Sequence, residues 1–243
     1  TWVGVFAFSG QIFCDFAGYS TCAIGISLCL GFTLPDNFKS PYAAMGFSDF
    51  WKRWHITLST WLRDFLYIPL GGNRKGKVRT LINLLITMFL GGLWHGANWT
   101  FVIWGLLHGF YLIIERFIVS KFGNSNLKNN LAVKGFVILV TYILVCVAWV
   151  FFRAKDFDTA MKLLFSMFAG FGIGAKLLNG TSLIVGSVTV LLLFLTHLFF
   201  RNRSLDSFIE KKPAILIVGF WLIMLFSIIL TQGSGNAFIY FQF

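Results

Sequence analysis

The sequence has few charged residues, and acidic residues are the scarcest of them. Only 12% of the 243 residues are charged, whereas a typical soluble domain has about 25%. So few charges cannot cover the surface of a water-soluble globule, which excludes that class of protein. Nine acidic residues against 20 basic ones give a net charge of +11. In a soluble protein this excess would suggest nucleic-acid binding. Here the basic residues separate apolar runs, so they indicate contact with membrane lipid and no nucleic-acid partner.

Residue patterns that indicate a disulfide framework, a metal site or a serine hydrolase are also missing. The four cysteines form no CxxC pair and lie in apolar stretches, so we expect neither disulfides nor zinc. The sequence has no Gly-x-Ser-x-Gly motif and no cluster of metal ligands. We therefore expect no metal and no bound cofactor. Because the sequence begins at Thr1 in apolar residues, we expect one membrane domain, residues 1–243, that belongs to a longer chain.

Long apolar runs are abundant: 57% of the residues are hydrophobic and 30 are Phe. About 20 apolar residues cross the hydrocarbon core as a helix, and a helix bonds its own backbone groups internally. The runs predict an all-α, multi-pass membrane protein. Its spans are predicted near residues 80–94, 99–115, 135–152, 181–200 and 213–231, with further ones at 16–34 and 1–13.

The basic residues between these spans predict the orientation of the chain. One side receives the basic loops around residues 74–79, 116–134 and 201–212, and the other receives fewer basic residues, at 153–176. Loops rich in Lys and Arg remain in the cytoplasm. We therefore expect the first side to be cytoplasmic and the C-terminal tail to lie outside.

Residues 47–67 form an amphipathic block that fits neither a membrane span nor a soluble helix. Its apolar residues recur at helical spacing, while charged residues interrupt the sequence too often for a crossing. Two interpretations stay open. The block is either an interfacial helix anchored by aromatic side chains, or a helix packed inside the bundle beside a polar cavity that His55 faces.

A glycine-rich stretch around His95 predicts a hinge between two spans. Helix 80–94 is short for a span, so we expect it to end below the opposite membrane surface. Irregular backbone at that depth is tolerated where it lines a cavity or is buried in protein. His95 could then act as a general base on a hydroxyl that attacks an acyl carbonyl, with the Asn98 amide bonding the acyl oxygen. The alternative is a histidine that bonds a carbonyl and only holds the hinge.

Asp15 is a lone acidic residue in the apolar N-terminal region. Its carboxylate either lines a tunnel or caps the helix that follows.

Four ordered motifs resemble the membrane-bound O-acyltransferases, and within them the bacterial branch that O-acetylates alginate. The teichoic acid D-alanyl transfer proteins are more distantly similar. The motifs are QIFCDFAGYSTCAIG (residues 11–25), DFWKRWHITLSTWLRDFLYIPLGG (49–72), GGLWHGANW (91–99) and FIYFQF (238–243). The resemblance runs along the whole chain and corresponds to the C-terminal half of a family member.

This resemblance implies a multi-helix bundle, with amphipathic or re-entrant helices, around a central tunnel. An acyl group, expected to be acetyl from acetyl-CoA or another acyl thioester, would enter from the cytoplasm. It would leave toward an exported polysaccharide or a periplasmic or extracellular acyltransferase partner, across the inner (plasma) membrane. The family's catalytic histidine falls on His95 and its second polar position on His55.

Other residues receive weaker roles from the same motifs. The expected tunnel-lining or structural residues are Trp94, Asn98, Trp61, Arg63, Asp64 and Asp15. Tyr240 lies in the aromatic tail and either relays the acyl group covalently or anchors the tail at the interface.

Three functions remain open at this point: an acyltransferase, a transporter or channel without covalent chemistry, and a scaffold subunit of an exopolysaccharide export complex. A His95→Gln substitution separates them, because acyl transfer needs a base whereas a transporter can tolerate an amide of similar size.

Overall fold

The computed structural model describes residues 1–122, 130–169 and 179–231, and these residues are helical with no β-strand among them. The α-helices of this part of the chain are α1 (Trp2–Cys29), α2 (Phe47–Trp51), α3 (Ile56–Leu62), α4 (Gly76–Trp94), α5 (Trp99–Phe122), α6 (Leu131–Arg153), α7 (Phe157–Phe168), α8 (Gly180–Phe200), α9 (Leu205–Ile209) and α10 (Ala214–Thr231). A 3-10 helix covers Pro41–Ala43 and a π-helix covers Arg63–Tyr67.

Five of the described helices are long and apolar enough to cross a membrane: α1, α4, α5, α6 and α8. α10 is also apolar and has 18 residues. The prediction of an all-α, multi-pass membrane protein is therefore confirmed, and five of the predicted spans coincide with α4, α5, α6, α8 and α10.

The prediction of two separate spans at 1–13 and 16–34 is wrong, because α1 is one helix of 28 residues. Asp15 lies in its middle and is half-buried. A single acidic residue interrupts an apolar run but leaves the i→i−4 backbone bonds intact, so the helix continues. Asp15 consequently caps no helix, and that interpretation of it is also wrong.

The predicted start of α4 is wrong as well. The helix begins at Gly76 and has 19 residues, which gives it a length of about 28 Å. This length nearly matches the hydrocarbon core, so His95 lies near the end of an almost complete span rather than well below the opposite surface.

α4 and α5 form a tight antiparallel hairpin because glycines lie where their backbones meet. A Cβ on Gly105 would come within 2.2 Å of the Met88 carbonyl oxygen, and one on Gly92 within 2.4 Å of the Phe101 carbonyl oxygen. Small residues allow such close approach between membrane helices, whose association depends on packing. The hairpin thereby fixes where its turn, residues 95–98, is placed.

Between α1 and α4 the chain enters the bundle and returns, and we call residues 46–72 the re-entrant segment. It begins near the C-terminal end of α5, where Glu115 Oε2 accepts hydrogen bonds from the N–H groups of Phe47 and Ser48 at 2.6 and 2.9 Å. Farther along, Trp51 packs against Trp104. Trp104 is eleven residues before Glu115, so the segment descends roughly 16 Å along α5.

The return path of the re-entrant segment follows α4. The Cβ position of Gly91 is 3.1 Å from Leu62 Cδ1, and Asn83 Nδ2 donates to the Gly72 carbonyl at 3.1 Å. Because α4 itself begins just after Gly72, the segment leaves on the side where it entered. Phe50 and Trp54 are only 1% and 3% exposed. The first part of the block is therefore packed inside the bundle, as one of the two interpretations predicts, while the polar cavity that His55 would face stays a prediction.

The segment is broken into α2, α3 and the π-helix rather than being one helix. The break falls at residues 52–55, where backbone groups also pair with an upstream loop: Lys39 N–H donates to the Arg53 carbonyl at 2.9 Å, and Ile56 N–H to the Asn37 carbonyl at 3.0 Å. Irregular backbone of this kind is stable at membrane depth because protein surrounds it.

Candidate active site

His95 lies at the turn of the α4–α5 hairpin. Its N–H donates to the Gly92 carbonyl at 3.0 Å, which ends α4. Gly96 follows with φ near 150°, a backbone conformation that side chains other than glycine rarely adopt. A Cβ on Gly96 would also lie 3.0 Å from the Phe101 ring. Glycine at position 96 therefore lets the chain reverse immediately after His95.

The His95 ring is held by aromatic neighbours but is not sealed. Trp94, Trp104 and Phe152 contact it edge-on, with ring centroids 5.0, 5.1 and 5.0 Å away. The residue is partly exposed. Within the described residues, neither ring nitrogen has a hydrogen-bond partner, so the carbonyl bond expected of a purely hinge-holding histidine is not found there. A ring positioned by packing, with free nitrogens, can exchange a proton with a ligand.

His55 also contacts the Trp94 indole. Its ring centroid is 5.9 Å from that of Trp94 and 4.6 Å from that of Phe16 on α1. Its backbone adopts φ 44°, in the left-handed region that non-glycine residues rarely occupy. Such outliers persist where the surrounding structure enforces them and cluster at functional sites. Trp94 thus contacts two histidines, one from the hairpin and one from the re-entrant segment.

Asn98 supports the hairpin through both polar atoms of its amide. Its Oδ1 accepts the Thr100 N–H at 3.0 Å, near the start of α5, and its Nδ2 donates to the Lys155 carbonyl at 2.9 Å. The first bond satisfies a helix-terminal N–H that has no partner within its own helix. The second ties the turn to the chain that follows α6. The described contacts of Asn98 are therefore structural.

The remaining predicted residues lie in different surroundings. Trp94 is 56% exposed. Trp61 is exposed and packs against Phe65. Arg63 and Asp64 form an exposed ion pair, with Nε and Oδ1 2.7 Å apart.

Arg63 also lines a groove of about 280 Å³ formed with Tyr67, Asn73, Arg74 and neighbouring backbone. The groove adjoins the basic loop before α4, on the predicted cytoplasmic side. Tyr240 and the aromatic tail lie outside the described residues, as does the rest of the chain after Thr231.

Sequence reasoning missed Asn37, which accepts hydrogen bonds from Thr57 and lies within hydrogen-bond distance of His55. His55 Nδ1 lies 3.2 Å from Asn37 Oδ1, and Thr57 donates to the same oxygen through its N–H at 3.2 Å and its hydroxyl at 3.0 Å. Asn37 follows Pro35 and Asp36 in a stretch that predicts only a turn. Local composition does not indicate that Asn37 contacts His55, which lies 18 positions later in the sequence.

Residues 1–155 match the family model described as MBOAT, membrane-bound O-acyltransferase family. The chain belongs to that family. Both histidines of the site, the re-entrant segment and the α4–α5 hairpin fall within the matched residues. The resemblance noted in the sequence is thereby confirmed for the membrane-bound O-acyltransferases.

Curated proteins that are similar to this chain carry the names of acyl-transferring proteins. The chain is 46% identical over 213 residues to the probable alginate O-acetylase AlgI of Pseudomonas putida, covering 87% of this chain and 42% of that protein. It is 45% identical over 183 residues to the peptidoglycan O-acetyltransferase of Helicobacter pylori, covering 75% and 32%. It is 30% identical over 162 residues to the teichoic acid D-alanyltransferase of Bacillus subtilis, covering 63% and 41%. The chain thus spans less than half the length of each of these three relatives.

The described residues contain no group of three His, Cys, Asp or Glu side chains that could hold a metal ion. The polar groups that the described part of the site offers to a ligand include the two imidazoles, both of which contact Trp94.

Proposed function

We propose that the protein containing this chain is an O-acyltransferase that moves an acyl group, acetyl in particular, from a thioester donor to an acceptor hydroxyl. The relatives named as O-acetylase, O-acetyltransferase and D-alanyltransferase support the reaction class. The observation that carries the proposal is the His95 ring, which contacts three aromatic neighbours beside a glycine turn and has no hydrogen-bond partner for its nitrogens among the described residues.

In the proposed reaction, His95 removes the proton from the acceptor hydroxyl as its oxygen attacks the thioester carbonyl carbon. A carbon–oxygen bond forms and the carbon–sulfur bond breaks. The proton passes from the imidazole to the leaving thiolate, which returns His95 to its neutral form. A general base of this kind contributes about 10²- to 10⁴-fold in rate. His55 polarises or positions a reactant from the cytoplasmic half of the site.

The proposed donor is acetyl-CoA or another acyl thioester, which approaches from the cytoplasmic side through a tunnel in the complete bundle. The basic loop before α4 supports the cytoplasmic assignment of this side. Arg74, Lys75 and Lys77 are exposed there, and loops of this composition remain cytoplasmic. We place the protein in the inner (plasma) membrane, with residues 1–243 as one membrane domain.

The proposed acceptor lies outside, as an exported polysaccharide or a periplasmic or extracellular acyltransferase partner. Relatives named for alginate, peptidoglycan and teichoic acid support an acceptor in the cell envelope or beyond it. Tyr240 is proposed as a covalent relay to that partner, with an interfacial anchor as the alternative role.

His95→Gln in the full-length protein tests the proposed reaction. Glutamine keeps a similar size and hydrogen-bonding capacity but cannot act as a base near neutral pH. Transfer of labelled acetyl from acetyl-CoA to the exported acceptor, normalised to the amount of protein in the membrane, should fall by about 100-fold or more.

His197→Gln is the matched control. His197 Nδ1 accepts the Tyr42 N–H at 3.3 Å, a bond that a glutamine oxygen can also accept, and we expect it to retain most activity. If His95→Gln transfers acetyl as well as His197→Gln does, His95 is not the base, and a transporter or scaffold becomes the better account.

A further inference from the structure

Asn37 joins the loop after α1 to the first turn of α3 with both its backbone and its side chain. Its carbonyl accepts the Ile56 N–H at 3.0 Å, and its Oδ1 accepts the Thr57 N–H at 3.2 Å. These are the first two N–H groups of α3, which have no partner inside the helix. His55 occupies the capping position but makes no side-chain cap bond. Asn37 therefore caps α3 from a distant part of the chain.

This capping bond identifies which atom of the Asn37 amide faces His55. A backbone N–H can only donate, so the atom that receives the Thr57 N–H is the amide oxygen and not the nitrogen. The other end of the amide agrees, since Asn37 Nδ2 donates to Ser20 Oγ at 3.5 Å. The Thr57 hydroxyl also donates to the same oxygen at 3.0 Å. Three groups thus converge on an atom that can only accept.

The tautomer of His55 follows from that assignment. His55 Nδ1 lies 3.2 Å from Asn37 Oδ1 and 3.4 Å from Thr57 Oγ1. The Thr57 hydroxyl gives its hydrogen to Asn37 Oδ1, at the shorter distance of 3.0 Å. Because two acceptors cannot form a hydrogen bond, Nδ1 pairs with Asn37 Oδ1 by carrying the hydrogen itself. In a neutral imidazole the other nitrogen then has the lone pair. Nε2 has no hydrogen-bond partner among the described residues and is available to accept one.

We propose that Asn37 is a positioning residue that fixes His55 as the Nδ1–H tautomer and so presents the Nε2 lone pair to the reactants. The inference rests on the proposed acyl transfer, in which His55 takes part. The tautomer that a catalytic histidine adopts is set by the bond its other nitrogen makes. The left-handed backbone of His55 adds to this control, because the bonds from Asn37 to residues 55–57 hold that conformation in place.

Asn37→Leu in the full-length protein is the first test. Leucine has a similar size but offers no acceptor oxygen, so Nδ1–H loses its partner and either tautomer becomes possible. We expect kcat to fall by about tenfold or more, as when an orienting partner of a functional histidine is removed. KM should change by less than about threefold if substrate binding does not depend on His55.

Asn130→Leu is the matched control for loss of a helix cap. Asn130 Oδ1 accepts the Ala132 N–H at 2.8 Å at the start of α6, and the residue lies outside the proposed site. We expect this variant to lose protein abundance but to keep kcat per molecule. Equal kcat in Asn37→Leu and Asn130→Leu would overturn the proposal.

A spectroscopic readout keeps the inference testable even if Asn37→Leu is poorly folded. Nitrogen NMR of ¹⁵N-histidine-labelled protein in bilayers distinguishes the protonated ring nitrogen from the unprotonated one, with His55→Gln used to assign the signal. The unsubstituted protein and Asn37→Asp, which keeps an acceptor oxygen, should both show His55 protonated at Nδ1. An Nε2–H signal in the unsubstituted protein would refute the assignment.

The two proposals fail in different ways. If His95→Gln remains active, the acyl-transfer mechanism is wrong, whatever the NMR signal shows. If His95→Gln is inactive while Asn37→Leu keeps full kcat, the reaction stands and the positioning role of Asn37 is wrong.

Discussion

At the scale of single residues, Asp49 connects three parts of the chain. Its Oδ1 accepts from Arg53 Nε at 2.8 Å, and its Oδ2 accepts from Arg201 Nη2 at 3.0 Å and from the Met45 N–H at 2.9 Å. Arg201 follows the last residue of α8. The carboxylate therefore holds the end of α8 against the start of the re-entrant segment.

Asp49 should make stability depend on pH in the acidic range. Burial raises the pKa of its carboxyl, but the bonds from Met45, Arg53 and Arg201 outweigh burial and leave the pKa below its ordinary value of 3.8. A carboxyl with a depressed pKa in the folded state stabilises the protein above its unfolded-state pKa. That contribution is lost as the pH falls through the folded-state pKa. Melting in detergent should show this loss below about pH 4.

Asp49→Asn should remove this contribution and leave two partly buried arginines short of a partner. We expect a loss of about 2 kcal/mol at neutral pH and a flatter acid dependence, measured by thermal unfolding in detergent. Asp158→Asn is the control, because the Asp158–Lys162 pair is exposed and such pairs contribute about 0–1 kcal/mol. Equal melting curves for the two variants would contradict the role of Asp49.

The sequence allows some of these residues to be found and hides others. His95 is recognisable because glycines at 91, 92 and 96 mark a turn around an ionisable residue in an apolar run, and the structure places that turn where the hairpin reverses. The partners of Asp49 and His55 could not be predicted from the sequence. Arg201 and Asn37 are brought to them by tertiary packing, which local composition does not record.

At the scale of helices, Gly105 and Gly92 set the distance between α4 and α5. Gly105→Ala places a Cβ 2.2 Å from the Met88 carbonyl oxygen, so the helices must separate. Overpacking of this kind costs about 1–3 kcal/mol, and we expect a lower melting temperature together with reduced acyl transfer because the His95 turn shifts.

Gly186→Ala provides the comparison within α8. Nothing lies within 4 Å of the Cβ position of Gly186, so alanine should leave stability unchanged or raise it by about 1 kcal/mol through its higher helix propensity. If both alanine variants melted alike, close packing at Gly105 would not be what holds the hairpin.

Helix positions were predictable to within a few residues where apolar runs were clear, as in α6, α8 and α10. The errors have physical causes. α1 continues past Asp15 because one acidic side chain does not break backbone bonds. α4 begins before the apolar run. Lys77 and Arg79 are tolerated in its first turns because their long side chains can extend toward water. The broken form of residues 47–67 depends on pairing with the upstream loop, which helical spacing does not reveal.

At the scale of the whole molecule, the basic loops predict which ends of the helices face the cytoplasm. Lys75 precedes α4 and Lys155 follows α6, and both residues are exposed. Three crossings, α4, α5 and α6, lie between them, so we expect them on opposite sides of the membrane. In a background without Cys14, Cys22 and Cys29, which are exposed, single cysteines at these positions should report opposite sides. A membrane-impermeant maleimide should label Lys155→Cys in intact spheroplasts, and Lys75→Cys only after permeabilisation.

The reverse labelling pattern would invert the proposed orientation and place the thioester donor on the wrong side of the membrane for the proposed reaction. Labelling of both positions in intact spheroplasts would contradict the assignment of α4, α5 and α6 as crossings. Thr57→Cys is a further probe of the same kind, because it lies deep in the re-entrant segment and should react more slowly than Lys75→Cys.

The cap that Asn37 supplies to α3 through the Thr57 N–H crosses 20 positions of sequence. A short peptide copied from residues 47–67 would carry the histidine yet lack the Asn37 oxygen that we propose orients it. A new scaffold that receives this motif would therefore need the loop that contains Asn37 as well as residues 47–67. On the proposed role of Asn37, a sequence search that scores the histidine motif alone would also select sequences that lack the orienting residue.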